Sequence, residues 1–135
     1  MSEVAVSRAK ALVLVVDDDA DSQFIFPAAL EHAGFAVHLA VNGVEALQAI
    51  AAQTPDVVVL DFAMPRLSGP ELFARLRADD TTRAIPVIAC TAMPVAADVP
   101  RLRGDGYADV LIKPVDPALL VAAVQRACDR TTGHP

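Results

Sequence analysis

Two acidic runs, each closing an apolar stretch, carry most of the chemistry that this chain can do. Leu12-Val13-Leu14-Val15-Val16 leads straight into Asp17-Asp18-Asp19, and Val57-Val58-Val59-Leu60 leads straight into Asp61. A short continuous apolar run that stops at carboxylates reads as a strand inside a two-sided parallel sheet, delivering its charges at the carboxyl edge. That edge is where open α/β sheets bind ligands. Two such strands side by side bring Asp17, Asp18 and Asp61 together, and three carboxylates repel unless a cation sits among them. A hard divalent ion with oxygen ligands meets that requirement, Mg²⁺ above all, with Mn²⁺ as the alternative. Aspartate also ends strands simply as a turn residue. That explains either run alone, but less easily both runs together with two more strand ends. Cys90-Thr91-Ala92 closes one with a hydroxyl, and Ile112-Lys113-Pro114 closes another with an ammonium.

The elements that must position these residues alternate along the chain. Ala11–Val16 reads as a strand and Ala20–Ala33 as a helix ended by Gly34. Ala36–Leu39 is a short strand; Asn42 caps a helix over Gly43–Ala52, with Val44, Leu47 and Ile50 on one face. Thr54-Pro55 breaks that helix, and Asp56–Leu60 is the central strand. After the loop Met64–Gly69, Pro70 suits the first position of a helix that runs to about Ala78. Pro86 leads the strand Val87–Cys90, a less regular stretch follows to Gly106, and Val110–Ile112 is the fifth strand. Asp116 and Pro117, as N-cap and first helical residue, open a last helix to about Asp129. Five βα units with connections this short imply right-handed crossovers, hence a doubly wound parallel sheet with helices on both faces. Residues 1–10 and 131–135 read as tails around one domain over 11–130.

Composition narrows the function classes. The 135 residues are 54% hydrophobic but only 4% aromatic, so the core is aliphatic. A net charge of −6, with no basic cluster, argues against nucleic acid as a direct partner. No apolar run is long enough to span a membrane, and the first ten residues lack a signal peptide's hydrophobic region. Cys90 and Cys128 each fall in an apolar segment and read as buried free thiols of a reducing, cytoplasmic compartment. His32, His38 and His134 show no ligand spacing.

Asp17, Asp18, Asp61, Thr91 and Lys113, in that order at the ends of the first, third, fourth and fifth strands, resemble the receiver domain of two-component response regulators. The surrounding motifs match as well: Val15-Val16-Asp17-Asp18-Asp19, Leu60-Asp61-Phe62-Ala63-Met64-Pro65, Pro86-Val87-Ile88-Ala89-Cys90-Thr91-Ala92, and Lys113-Pro114. The likeness extends over roughly Ala11 to Arg130. It implies a flavodoxin-like strand order, 2-1-3-4-5, which makes the first and third strands neighbours. It also implies that Asp61 is the phosphoacceptor for a histidine kinase or histidine phosphotransfer protein. Asp18, Asp17, Asp61 and the backbone carbonyl of Ala63 would then hold Mg²⁺. Lys113 would pair with Asp61 and later with the phosphoryl group, to which the Thr91 hydroxyl would donate. Three carboxylates against one divalent cation and one ammonium leave no net charge, so such a site is balanced at rest. Ala92 is small, leaving room for the phosphoryl group and its water.

Several positions depart from the family's pattern. Where relatives often carry a Tyr or Phe that swings inward on phosphorylation, three residues before Lys113, this chain has Val110; Tyr107 lies three residues earlier. Met93 to Gly106 corresponds to the fourth helix, yet Pro100 inside a helix would cost roughly 3 kcal/mol. Pro94 and Asp98 are alternative start signals there, and the expected result is a short, kinked or mobile fourth helix. Pro27 raises a milder version of that question in the first helix. Ala63 and Met93, two residues beyond Asp61 and Thr91, occupy positions that in this family tune phosphate lifetime; neither side chain can hydrogen-bond an attacking water. The last helix is apolar most of the way round, from alanine content or from a partner-facing surface.

The leading reading is a single-domain signalling module without its own output domain. It is a phosphoacceptor taking part in its own phosphorylation and dephosphorylation rather than an enzyme, monomeric or weakly dimeric, acting on a downstream protein. One competitor is a receiver-like adaptor that signals without phosphate. Another is a Mg²⁺-dependent phosphohydrolase working through an aspartyl phosphate. Such enzymes usually carry a second aspartate where this chain has Ala63, and no cap domain is visible.

Overall fold

The computed structural model describes residues 10–64, 67–92 and 99–131. Five strands, β1 (Leu12–Val16), β2 (Ala36–Ala40), β3 (Val57–Asp61), β4 (Val87–Thr91) and β5 (Asp109–Ile112), form one sheet in the order β2-β1-β3-β4-β5. All pairings are parallel. Among the described residues, five helices connect and follow them: α1 (Ala20–His32), α2 (Gly43–Ala52), α3 (Gly69–Ala78), α4 (Val99–Asp105) and α5 (Pro117–Thr131). Both the doubly wound class and the flavodoxin-like order are as the sequence implies.

Alternation along the strands builds two cores. Leu14 and Val16 with Val58, Leu60, Val87 and Ala89 pack against Ala46, Ile50, Leu72, Leu76 and Leu102 of α2, α3 and α4. Val13 and Val15 with Val57, Val59, Ile88 and Cys90 pack against Phe26, Leu30, Leu120 and Val124 of α1 and α5. Every residue of β3 and β4 is buried, which is why these strands read as unbroken apolar runs rather than alternating ones. Cys90 is buried and Cys128 only half-buried, both as free thiols. On α5 the buried residues Leu120, Ala123, Val124 and Ala127 make an ordinary core stripe, with Leu119 left exposed.

Side-chain caps fix where the helices start. Asp19 accepts the Ser22 N–H at 3.0 Å to open α1, and Asn42 accepts the Glu45 N–H at 2.8 Å to open α2. Ser68 and Glu71 form a reciprocal capping box at α3, so that helix starts at Gly69, one residue before the expected Pro70. Asp116 accepts the Ala118 N–H at 2.8 Å ahead of Pro117. Gly34, at φ +102°, ends α1: its N–H goes to Glu31 O and that of Phe35 to Leu30 O. Those are the two bonds of a Schellman turn. α1 runs through Pro27 without interruption. Of the fourth helix the described residues include seven, Val99–Asp105, with Pro100 among them; Pro94 and Asp98 lie outside the described residues. β5 begins at Asp109, one residue early, because Asp109 already pairs with Ile88 of β4, and its buried carboxylate takes Arg103 of α4 at 2.8 Å and Arg126 of α5 at 2.9 Å.

α3 leans directly on the end of β3. A Cβ on Gly69 would stand 2.8 Å from both Asp61 O and Phe62 Cα, atoms of backbone that cannot easily yield. Gly69→Ala is therefore expected to destabilise the protein by about 1–3 kcal/mol. Gly104→Ala, whose new Cβ meets nothing within 4 Å inside α4, should be neutral or mildly stabilising. Paired urea denaturation curves check both.

Candidate functional site at the carboxyl edge of the sheet

β1 and β3 are neighbours, and their ends put three carboxylates in one place. Candidate ligand oxygens of Asp17, Asp18 and Asp61 lie within 4.8 Å of one another. Asp17 and Asp61 are each 2% exposed, whereas Asp18 faces solvent. Asp19, the third member of the acidic run, turns away to cap α1. The Asp17 carboxylate accepts the Asp19 N–H at 2.8 Å, and its backbone carbonyl accepts Gln23 Nε2 at 2.9 Å. The cap and the cluster thus share one turn.

Lys113, at the end of β5, supplies the nearest cation. Its Nζ donates to Asp61 Oδ1 at 2.7 Å, and the Ala63 N–H donates to the same oxygen at 3.1 Å. Partial burial works to lower the lysine's pKa, but the bond to Asp61 and the charges of Asp61 and Asp17 outweigh it, so the ammonium is held above its ordinary range. Burial, with the negative charge of Asp61 adding to it, pushes the Asp17 carboxyl up from 3.8 to about 6. Burial first, and like charge second, thus make Asp17 costly to ionise.

β4 contributes a hydroxyl. Asp61 is paired across the sheet with Cys90, so Thr91 lies one residue further along the adjoining strand. Thr91 is 1% exposed, and its Oγ1 is the only buried side-chain polar atom without a hydrogen-bond partner among the described residues. A buried orphan hydroxyl is costly and calls for a ligand or water. Cys90, beneath it, is pushed up to about 12 by burial and remains a thiol. The three carboxylates give a hard, all-oxygen donor set that suits Mg²⁺, and the orphan hydroxyl and Lys113 offer two donors for an anion.

An open cleft of about 670 Å³ exposes the site. Asp18, Asp61, Ala63 and Lys113 form its polar side, and Ile25, Val115 and Pro117 form an apolar one. Ala63 and Ala92 are exposed. Val110 is buried in the core on the α2–α4 side, while Met93 falls outside the described residues. Two contributors carried no signal of their own in the sequence. Gln23 looks like an ordinary helix-surface residue, and Phe62 like a loop hydrophobe. Phe62 in fact meets Tyr107 edge-on, with ring centroids 5.4 Å apart, and Tyr107 stacks on Phe73 at 3.8 Å.

Known proteins resemble this chain in sequence and in fold. The model of the response regulator receiver domain matches residues 13–125. A 14.6 kDa protein in the sodA1 3′ region of Leptolyngbya boryana is 39% identical over 116 residues, covering 86% of this chain and 88% of that protein. The polar-differentiation response regulator DivK of Brucella anthropi is 34% identical over 103 residues, covering 76% and 84%. The Francisella response regulator 1452 receiver domain superposes with a TM-score of 0.82 at 31% identity, covering 90% of this chain and 98% of that one. Other relatives are larger: the chain spans 51% of the length of RpaA from Synechocystis. The chain belongs to the response regulator receiver domain family.

The raised Asp17 pKa has a sign that can be checked. Well below pH 3.8 this carboxyl is protonated both folded and unfolded, so it costs nothing. As pH rises from 3.8 to about 6 the unfolded chain releases the proton first, and the folded state loses stability relative to it. By pH 7 that loss is on the order of 2–3 kcal/mol. Without divalent ions, Asp17→Asn is expected to be more stable than wild type above pH 6, and the difference should close as pH falls below 3.8. Denaturation midpoints across that range in chelator check it.

Proposed function

We propose that Asp61 accepts a phosphoryl group from a phosphohistidine on a histidine kinase or histidine phosphotransfer protein, and that the new charge alters binding of a downstream protein. The observation that carries this reading is the buried Asp61 carboxylate between a lysine ammonium at 2.7 Å and an unpartnered threonine hydroxyl on the next strand. Such a carboxylate can act as a nucleophile whose product meets donors already in place. In the transfer, an Asp61 oxygen bonds to phosphorus as the phosphorus–nitrogen bond breaks. The nitrogen keeps the electron pair, and because the other ring nitrogen of the phosphohistidine carries a proton, the ring leaves as a neutral imidazole. Phosphoryl transfer asks mainly for positioning and charge stabilisation.

Asp17, Asp18, Asp61 and the Ala63 carbonyl would hold Mg²⁺, which when bound supplies positive charge against the phosphoryl oxygens. Lys113 then moves its hydrogen bond from carboxylate to phosphoryl oxygen, and Thr91 Oγ1 gains the acceptor it lacks. The charge on residue 61 changes from −1 to about −2. Ala92 beside Thr91 leaves space for the group. We take 11–130 as the working unit, in the cytoplasm, where kinase-borne phosphohistidine and reduced thiols coexist. Any further domain or target belongs to the same proposal and is open to direct interaction assays. Among the described residues, no helix is long and apolar enough to cross a membrane.

Intact-protein mass spectrometry after incubation with Mg²⁺ and acetyl phosphate tests the reading. One added phosphoryl group is expected on wild type, and none on Asp61→Asn or in chelator. Absence of the adduct on folded wild type would favour the phosphate-independent adaptor. Because Ala63 and Met93 have no side-chain group to orient water, the adduct should decay slowly. Ala63→Asn combined with Met93→Glu is expected to shorten its half-life severalfold; an unchanged decay would count against that assignment.

A further inference from the structure

Phe62 stands between the two residues whose hydrogen bonds must change when Asp61 is loaded. Asp61 Oδ1 takes both Lys113 Nζ and the Ala63 N–H, so modifying that carboxylate disturbs the backbone on each side of Phe62. The backbone of Phe62 has little room to respond. Its N–H is bonded to Cys90 O at 3.0 Å, and its Cα is walled by Gly69, where even a Cβ would come to 2.8 Å. Its ring lies against the same wall, with Cδ1 3.1 Å from where a Gly69 Cβ would stand, and meets the edge of Tyr107 at a centroid distance of 5.4 Å and an interplanar angle of 64°.

Tyr107 is buried and joined to two other parts of the molecule. Its ring stacks on Phe73 of α3 at 3.8 Å and 21°, and the Arg77 guanidinium covers the other partner, Phe73, at 4.5 Å. Arg77 also donates to Ile85 O at 3.0 Å, tying the stack to the entry of β4. The backbone of Tyr107 reaches the last turn of α4: its N–H is directed at Leu102 O at 3.4 Å, and the Gly106 N–H is bonded to Arg103 O at 3.1 Å. Gly106, at φ +111°, lets the chain reverse there. Val110, in β5, offers no ring for such a contact.

We propose that the Phe62–Tyr107 contact is the link by which the state of Asp61 reaches the end of α4, with Phe62 as a positioning residue and Tyr107 as the responding one. The proposal rests on Asp61 being the phosphoacceptor. Loading Asp61 shifts the Phe62 ring, the Tyr107 ring follows against the fixed Phe73 face, and the tether from Tyr107 to Leu102 carries the change into α4.

The chain has one tyrosine and no tryptophan, so its ultraviolet emission reports Tyr107 alone. Tyrosine fluorescence is followed while wild type is phosphorylated with acetyl phosphate and Mg²⁺, with the loaded fraction read by intact mass in the same samples. Emission that changes in proportion to the loaded fraction is expected, with loss of that response in Phe62→Leu at equal loading. Phe62→Ile serves the same purpose should the leucine variant not fold. Loading without a change in wild-type emission, or an equal response in the loaded Phe62 variant, would overturn the link while leaving Asp61 as acceptor. No mass adduct at all would overturn the acceptor reading and this inference with it.

Discussion

Like charges crowded at the edge of a hydrophobic sheet are the constraint to which the rest of this molecule answers. Asp17 and Asp61 lie almost wholly out of water within reach of Asp18, and among the described residues only Lys113 offsets them by direct contact. Breaking such a pair leaves a buried charge uncompensated, which costs far more than the pair itself contributes. The protein tolerates the arrangement because each carboxylate also accepts a backbone N–H, from Asp19 or Ala63. Burial, with Asp61 beside it, makes the Asp17 carboxyl give up its proton reluctantly. A site assembled this way is stable enough to persist and unbalanced enough to favour a cation and then an anion.

The fold serves that edge. β1, β3, β4 and β5 each deliver one element of the site from their carboxyl ends, and burial on both sheet faces fixes the strands that carry them. Helices do the fine positioning: α1 is capped by a residue of the acidic run itself, and α3 abuts the Asp61 carbonyl through a glycine. Local chemistry at Asp61 is therefore mechanically close to α3 and, through Phe62 and Tyr107, to α4. Packed cores shift between discrete arrangements rather than deforming smoothly.

Most of this was legible in sequence, because a fully buried parallel strand writes itself as a continuous apolar run and its end as an abrupt charge. The central strand was displaced by only one residue, since Asp61 itself still pairs with β4. The strand order came from family resemblance, as spacing alone does not determine which strands adjoin. Ser68 was overlooked as a cap because Pro70 is the louder signal, although Ser68 and Glu71 stand at capping-box spacing. The Phe62–Tyr107 contact joins residues far apart in the chain, and no local pattern encodes a tertiary stack. Gln23 was invisible for a related reason: a surface amide on a helix becomes informative only once the Asp17 carbonyl is known to lie beside it.

The charge-balance account is tested most directly by thermal unfolding in chelator and across a Mg²⁺ titration at neutral pH, for wild type and Asp18→Asn. Asp18 is the exposed member of the cluster, so its replacement leaves the core untouched. A saturable rise in Tm for wild type, following ligand linkage and largely lost in Asp18→Asn, is the expected result. A wild-type Tm indifferent to Mg²⁺, or an equal rise in the variant, would contradict the idea that these carboxylates are held together to receive a cation.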